Sequence, residues 1–151
     1  MSEQALSRLQ AGRHALAAKA ASGRSWADIA ASLGRSVVWT TSAVLGQQTL
    51  TPEQATTVGS LLALPPEVVT ALALPPDRTS AAADLSDPLV YRLTEMVQVY
   101  GAALRELITE EFGDGIMSAI DFELDLSRVA DPKGDRVLLI MNGKFLPYRV
   151  W

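Results

Sequence analysis

The sequence predicts an α+β protein: an N-terminal all-α, helix-turn-helix-like bundle, then a long helix and a small antiparallel β domain. Three observations lead there. Helix-start signals recur at short intervals through the first 75 residues. A stretch rich in Pro, Ser, Ala and Asp, PDRTSAAADLSDP, interrupts them. Beyond Gly113-Asp114-Gly115 the apolar period changes from that of a helix to that of a strand. The expected division is therefore residues 1–75 for the bundle, 76–87 for a linker and 88–151 for the second domain.

The first helix is expected from Ser2 to about Ala21, with Leu6, Leu9 and Leu16 on its apolar side and Gly23 closing it. Ser25-Trp26-Ala27-Asp28 has capping-box spacing and starts the second, whose stripe is Trp26, Ile29, Ala30 and Leu33 before Gly34. Ser36 caps a third, Val37 to Leu45, ended by Gly46. Thr51-Pro52-Glu53-Gln54 opens a fourth, with Pro at the first helical position and Gln completing the box. Pro65-Pro66 and Pro75-Pro76 bracket a short apolar turn.

Asp87 and Pro88 supply the N-cap and first-turn proline of a long helix to about Phe112. Its apolar face is Leu89, Leu93, Met96, Val97, Tyr100, Leu104, Leu107 and Ile108. After the Gly-Asp-Gly turn, Ile116, Ser118, Ile120, Phe122, Leu124 and Leu126 alternate with an increasingly acidic set, as in a half-buried strand. DPKGD, residues 131–135, makes the next turn. Val137 to Met141 and Lys144 to Leu146 then read as a hairpin about Asn142-Gly143, the dipeptide that a type I′ turn favours. One helix and three short strands bury little surface alone, so this half is expected to complete its core against another copy.

Composition removes several chemistries. The chain has no cysteine and one histidine, His14, which leaves no thiol nucleophile, no His-dependent triad and no obvious zinc site. No apolar run approaches the roughly 18 residues of a membrane span, and MSEQALSRLQ lacks the apolar core of a secretory signal. A cytoplasmic location without membrane association is expected. The net charge is −4, yet up to Leu50 the basic Arg8, Arg13, Lys19, Arg24 and Arg35 outnumber Glu3 and Asp28. A helix-turn-helix DNA-binding regulator, with a second domain that dimerises or senses an anion, is therefore the competing reading. The third helix, VVWTTSAVL, argues against it, because readers of base edges usually present Arg, Asn or Gln. Nucleic acid is not an expected partner.

Arg92 and Glu95, three residues apart on the long helix, and Ser118, on the otherwise apolar face of the strand, are the candidates for chemistry. By themselves they are unremarkable in type: an i,i+3 ion pair contributes about 0.2–0.5 kcal/mol, and a strand serine is most often a satisfied hydroxyl.

Longer stretches give them meaning. YRLTEMVQVYG, EEFGDGIMSAIDFELD, VADPKGDR and NGKFLPY, together with LGQQ at Leu45 to Gln48, resemble the cyanase (cyanate hydratase, cyanate lyase) family. The resemblance runs through most of the chain, dense from Tyr91 onward and thin in the linker. The separation of 26 residues between Arg92 and Ser118 matches the family pattern. It implies a lyase that decomposes cyanate with bicarbonate to carbamate and carbon dioxide, carbamate then giving ammonia and a second carbon dioxide. By the same resemblance, Arg92, Glu95 and Ser118 are the catalytic residues, and bicarbonate is a co-substrate with no cofactor or metal. The family's homodecamer of five dimers, with sites shared between subunits, and its place in nitrogen metabolism and cyanate detoxification are likewise implied.

Overall fold

Six helices followed by two strands make up the computed structural model, which describes residues 5–78 and 83–151. The chain divides into two compact units, one formed by Met1–Ala81 with Asp125–Leu139, the other by Ala82–Leu124 with Ile140–Trp151.

In the first unit, α1 (Arg8–Ser22), α2 (Trp26–Leu33), α3 (Val37–Val44), α4 (Pro52–Leu62) and α5 (Pro66–Leu72) pack around one core. Its largest fully buried side chains are Ile29, Leu50, Leu72, Val44, Val58 and Val68, with Thr40 among them. The helix starts follow the local chemistry. Ser25 and Thr51 each accept a hydrogen bond from the backbone N–H three residues on, while Asp28 and Gln54 reach back to the N-cap N–H. Between α2 and α3, Gly34 adopts a left-handed conformation (φ 62°), where a side chain would be strained, and Ser36 caps α3. This is the expected helix-turn-helix layout.

The expectations for the first helix and for Pro65 to Pro76 are corrected. The first helix begins at Arg8, because Ser7 and Gln10 form a capping box there. Ser2 to Gln4 lie outside the described residues. Its buried side is also not the leucine stripe: Leu9 and Leu16 are exposed, and Arg8, Ala11, Gly12 and Ala15 face inward. The reason is close approach, since a Cβ on Gly12 would lie 2.9 Å from the Leu45 carbonyl oxygen. Small residues let α1 sit directly on the end of α3. Arg8 completes that contact, being only 4% exposed and donating to the carbonyls of Ala43 and Val44 at the C-terminus of α3, where a cation is favoured. Burial lowers its pKa from the ordinary arginine value. The second correction concerns Pro65 to Pro76, expected as a turn: Pro66 instead starts α5, using its fixed φ at the first helical position.

The Ser25 cap gives a stability prediction. Ser25→Ala should destabilise the folded chain by about 1 kcal/mol, read from chemical denaturation. Hydrogen bonds from the Ser25 backbone N–H and hydroxyl hold the Asp28 carboxyl below its ordinary 3.8. A folded-state pKa below the unfolded value stabilises above the unfolded value, and the contribution fades as pH falls through the folded one. The difference between wild type and Ser25→Ala should therefore shrink in acid.

In the second unit, Asp87 accepts from the N–H groups of Leu89 and Val90, at 2.8 and 2.9 Å, and starts α6 (Pro88–Phe112). This 25-residue helix has no buried residue. Leu89, Leu93, Val97, Tyr100, Leu104 and Leu107 are all exposed. The turn after it is held by the Phe112 and Phe145 rings, with centroids 5.2 Å apart, and by the Tyr148 N–H donating to the Asp114 carbonyl.

The β region is one two-stranded antiparallel sheet, β1 (Gly115–Val129) and β2 (Arg136–Pro147). This corrects the expected hairpin: Asn142-Gly143 lies inside β2, and the chain reverses at DPKGD. There the Asp131 side chain accepts from the Lys133 N–H at 2.8 Å, and Gly134 takes φ 123°. The strands of 15 and 12 residues are thus far longer than the mean of about five or six. The expected inward face of β1 is also broken. Ser118, Phe122 and Leu124 are shielded, whereas Ile116 is exposed and Ile120 is 98% exposed.

Candidate active site

Arg92 and Glu95 are set by the first turns of α6, where the Asp87 cap and Pro88 fix the start of the helix. The spacing of three residues places both on one side of it. The Arg92 guanidinium donates to Glu95 Oε2 at 2.7 Å. It also lies 5.9 Å from the centre of the Tyr91 ring, within cation–π range. The Arg92 side chain is 69% exposed and that of Glu95 44%. In water such a pair adds only a few tenths of a kcal/mol to the helix, so it contributes little to the stability of the chain. What the pair provides is a guanidinium with part of its donor fork held by a carboxylate and the rest free.

Ser118 is the opposite case, 6% exposed near the start of β1. Its Oγ accepts two backbone hydrogen bonds, from Ile120 N–H at 3.1 Å and Asp121 N–H at 2.9 Å. Successive N–H groups of a regular strand point to opposite sides, so two of them converging on one serine oxygen mark a local bulge, beside which Ile120 is exposed. With both its lone pairs engaged, the hydroxyl keeps its own proton to donate. Alternation alone could not reveal this bulge. A glycine in the middle of the partner strand, Gly143, was its one sequence signal.

Arg92 is thus brought together with Glu95, and no hydrogen bond links Ser118 to either within one chain among the described residues. Glu95 carries the only acidic side chain in contact with Arg92 among the described residues. No group of three or more His, Cys, Asp or Glu is placed to hold a metal ion among the described residues, and none of the described helices is long and apolar enough to cross a membrane. In the first unit a cavity of about 130 Å³ is lined by Ser7, Arg8, Leu9, Gly46, Gln47 and Asp77. It includes none of the three candidates.

Two family models match in succession: "Cyanate hydratase, N-terminal" over residues 8–76 and "Cyanate lyase C-terminal domain" over residues 82–150. Among curated proteins, the cyanate hydratase of Thiobacillus denitrificans is 54% identical over 127 residues, 83% of this chain and 86% of the relative. That of Methylibium petroleiphilum is 50% identical over 147 residues, 97% of this chain and all of the relative. Among solved structures, cyanase from T. urticae superposes with a TM-score of 0.81 at 37% identity, covering 91% of this chain and 96% of that one.

Proposed function

The chain belongs to the cyanate lyase family and is an enzyme that decomposes cyanate, and we propose that Arg92, Glu95 and Ser118 carry the reaction with bicarbonate as co-substrate. The observation that carries this reading is the Arg92–Glu95 pair, solvent-facing on a helix with no buried residue. It contributes little to one chain and is positioned to do something else.

The chemistry sets the requirement. A bicarbonate oxygen bonds to the cyanate carbon, and the adduct of two anions takes up a proton and breaks the original bicarbonate C–O bond. Carbon dioxide leaves, and carbamate keeps the cyanate carbon and nitrogen. Carbamate then takes up two further protons to give ammonium and a second carbon dioxide. Two unit charges 4 Å apart repel by about 4 kcal/mol at an effective dielectric near 20. A guanidinium offsets that repulsion while its planar fork orients carboxylate-like oxygens. Glu95 holds Arg92 in one rotamer by the 2.7 Å hydrogen bond. Ser118, its oxygen occupied by two N–H donors, directs its hydroxyl proton at the charge developing on the adduct. No resident metal or cofactor takes part.

The site is completed by assembly. Among the described residues no hydrogen bond or ion pair joins Ser118 to Arg92 or Glu95, and α6 and the hairpin leave an extended apolar surface uncovered. In this reading residues 1–75 form a helical module, 76–87 a linker whose residues 79–82 lie outside the described ones, and 88–151 a catalytic, dimerising domain. Copies join as dimers and then as a decamer, bringing Arg92 and Ser118 from different chains to one site. The enzyme acts in the cytoplasm, in cyanate detoxification and nitrogen supply.

Purified protein should release ammonia from cyanate in the presence of bicarbonate and not in buffer stripped of carbon dioxide. Absence of ammonia in both conditions would overturn the reading. DNA binding that weakens steeply with salt, together with no turnover, would favour the regulator instead.

A further inference from the structure

Gly143 stands in the interior of β2, at φ outside the left-handed region, so no turn explains it. Its neighbours do. A Cβ built there would lie 2.6 Å from the Ser118 carbonyl oxygen, 2.5 Å from Met117 Cγ and 3.1 Å from Met117 Sδ. Real Cβ atoms do not approach backbone oxygen so closely, and the carbonyl cannot yield as a flexible side chain would. The bulge accounts for the crowding: with Ile120 and Asp121 N–H turned onto Ser118 Oγ, the Ser118 peptide sits against β2 at the one position that lacks a side chain.

We propose that Gly143 is a positioning residue for the cyanate reaction: its missing side chain lets β2 hold the Ser118 peptide where the two N–H donors grip Oγ and aim the hydroxyl proton. A methyl group at this position pushes the Ser118 carbonyl outward by several tenths of an ångström, rotates the peptide and loosens the fork. Because Gly143 touches Ser118 only through its backbone, it acts through serine and contacts no substrate. The inference rests on Ser118 meeting the substrate anion, as proposed above.

Azide, linear, triatomic and singly charged like cyanate, provides a probe that reports on the site without turnover. Its dissociation constant is measured by titration calorimetry on the assembled enzyme for wild type, Ser118→Ala, Gly143→Ala and the double variant, alongside kcat and KM for cyanate. Gly143→Ala should weaken azide binding and lower kcat, each about tenfold or more, in the Ser118 background. In the Ser118→Ala background it should change azide binding less than twofold, because the group it positions is gone. A merely structural role would weaken binding equally in both backgrounds, and that additivity would overturn the proposal, as would unchanged binding in Gly143→Ala. If Ser118→Ala leaves azide binding and turnover intact, the role given to Ser118 fails first and the proposal falls with it. Should Gly143→Ala not assemble, Met117→Ala/Gly143→Ala removes the side-chain part of the clash and keeps the carbonyl. It should remain impaired, and full recovery would mean that Gly143 packs against Met117 and positions nothing.

Discussion

Arg92→Ala should lower bicarbonate-dependent ammonia release from cyanate by about 10²–10³-fold or more, the loss that follows removal of one preorganised charge donor at a developing anion. The size of the effect is informative because nothing else about this residue is worth much. Its side chain is 69% exposed in the chain, and its ion pair is worth a few tenths of a kcal/mol. The variant should fold and assemble as wild type does, which sizing and thermal unfolding will check. Arg92→Lys keeps the charge but lacks the planar fork and should recover part of the rate at most. Glu95→Gln should fall between, since it keeps a hydrogen-bond acceptor for Arg92 and gives up the charge. Wild-type turnover by assembled Arg92→Ala would remove the guanidinium from the mechanism.

Leu104→Asp should dissolve the assembly and remove activity with it. Leu93, Val97, Tyr100, Leu104 and Leu107 are spaced by four, three, four and three residues, which lines them along one side of α6, and all are exposed in the single chain. Burying five such side chains is worth on the order of 10 kcal/mol per helix before the entropic cost of association. A carboxylate set among them must shed its hydration without a partner, a penalty of several kcal/mol, and at a two-fold contact each substitution counts twice. The bundle core, built from residues of α1 to α5 and Leu50, contains none of these side chains, so helical content should largely persist while the sedimenting mass falls. A full-sized, fully active Leu104→Asp would show that this stripe is not an interface.

Much of this protein can be read from its sequence where local chemistry decides the structure. Ser25, Thr51, Asp87 and Pro88 start helices because an N-cap acceptor or a fixed φ satisfies donors that no other arrangement would. Reading fails where non-local packing overrides local preference. Asn142-Gly143 is a strong hairpin signal, but the glycine is required by the Ser118 carbonyl opposite it, and DPKGD turns the chain with its own Asx hydrogen bond. The leucines of α1 fit a helical stripe, yet the end of α3 comes too near for any but Arg8, Ala11, Gly12 and Ala15. The LGQQ stretch has a structural part too, since Gly46 takes φ 108° against the buried Arg8. As for the candidate site, periodicity located the helix and the strand, whereas the roles of Arg92, Glu95 and Ser118 came from family resemblance alone. An exposed ion pair and a strand serine have no signature of their own, and no hydrogen bond joins them among the described residues of one chain.

Whether Arg92 of one copy meets Ser118 of another is decided by mixing two impaired variants. Arg92→Ala and Ser118→Ala are co-expressed with different tags, the mixed assemblies are isolated through both tags in turn, and ammonia release from cyanate with bicarbonate is measured. If each site draws the two residues from different chains, random mixing leaves about a quarter of the sites intact and restores about a quarter of the wild-type rate. If mixed assemblies stay as inactive as either parent, both residues act within one chain and the account is wrong.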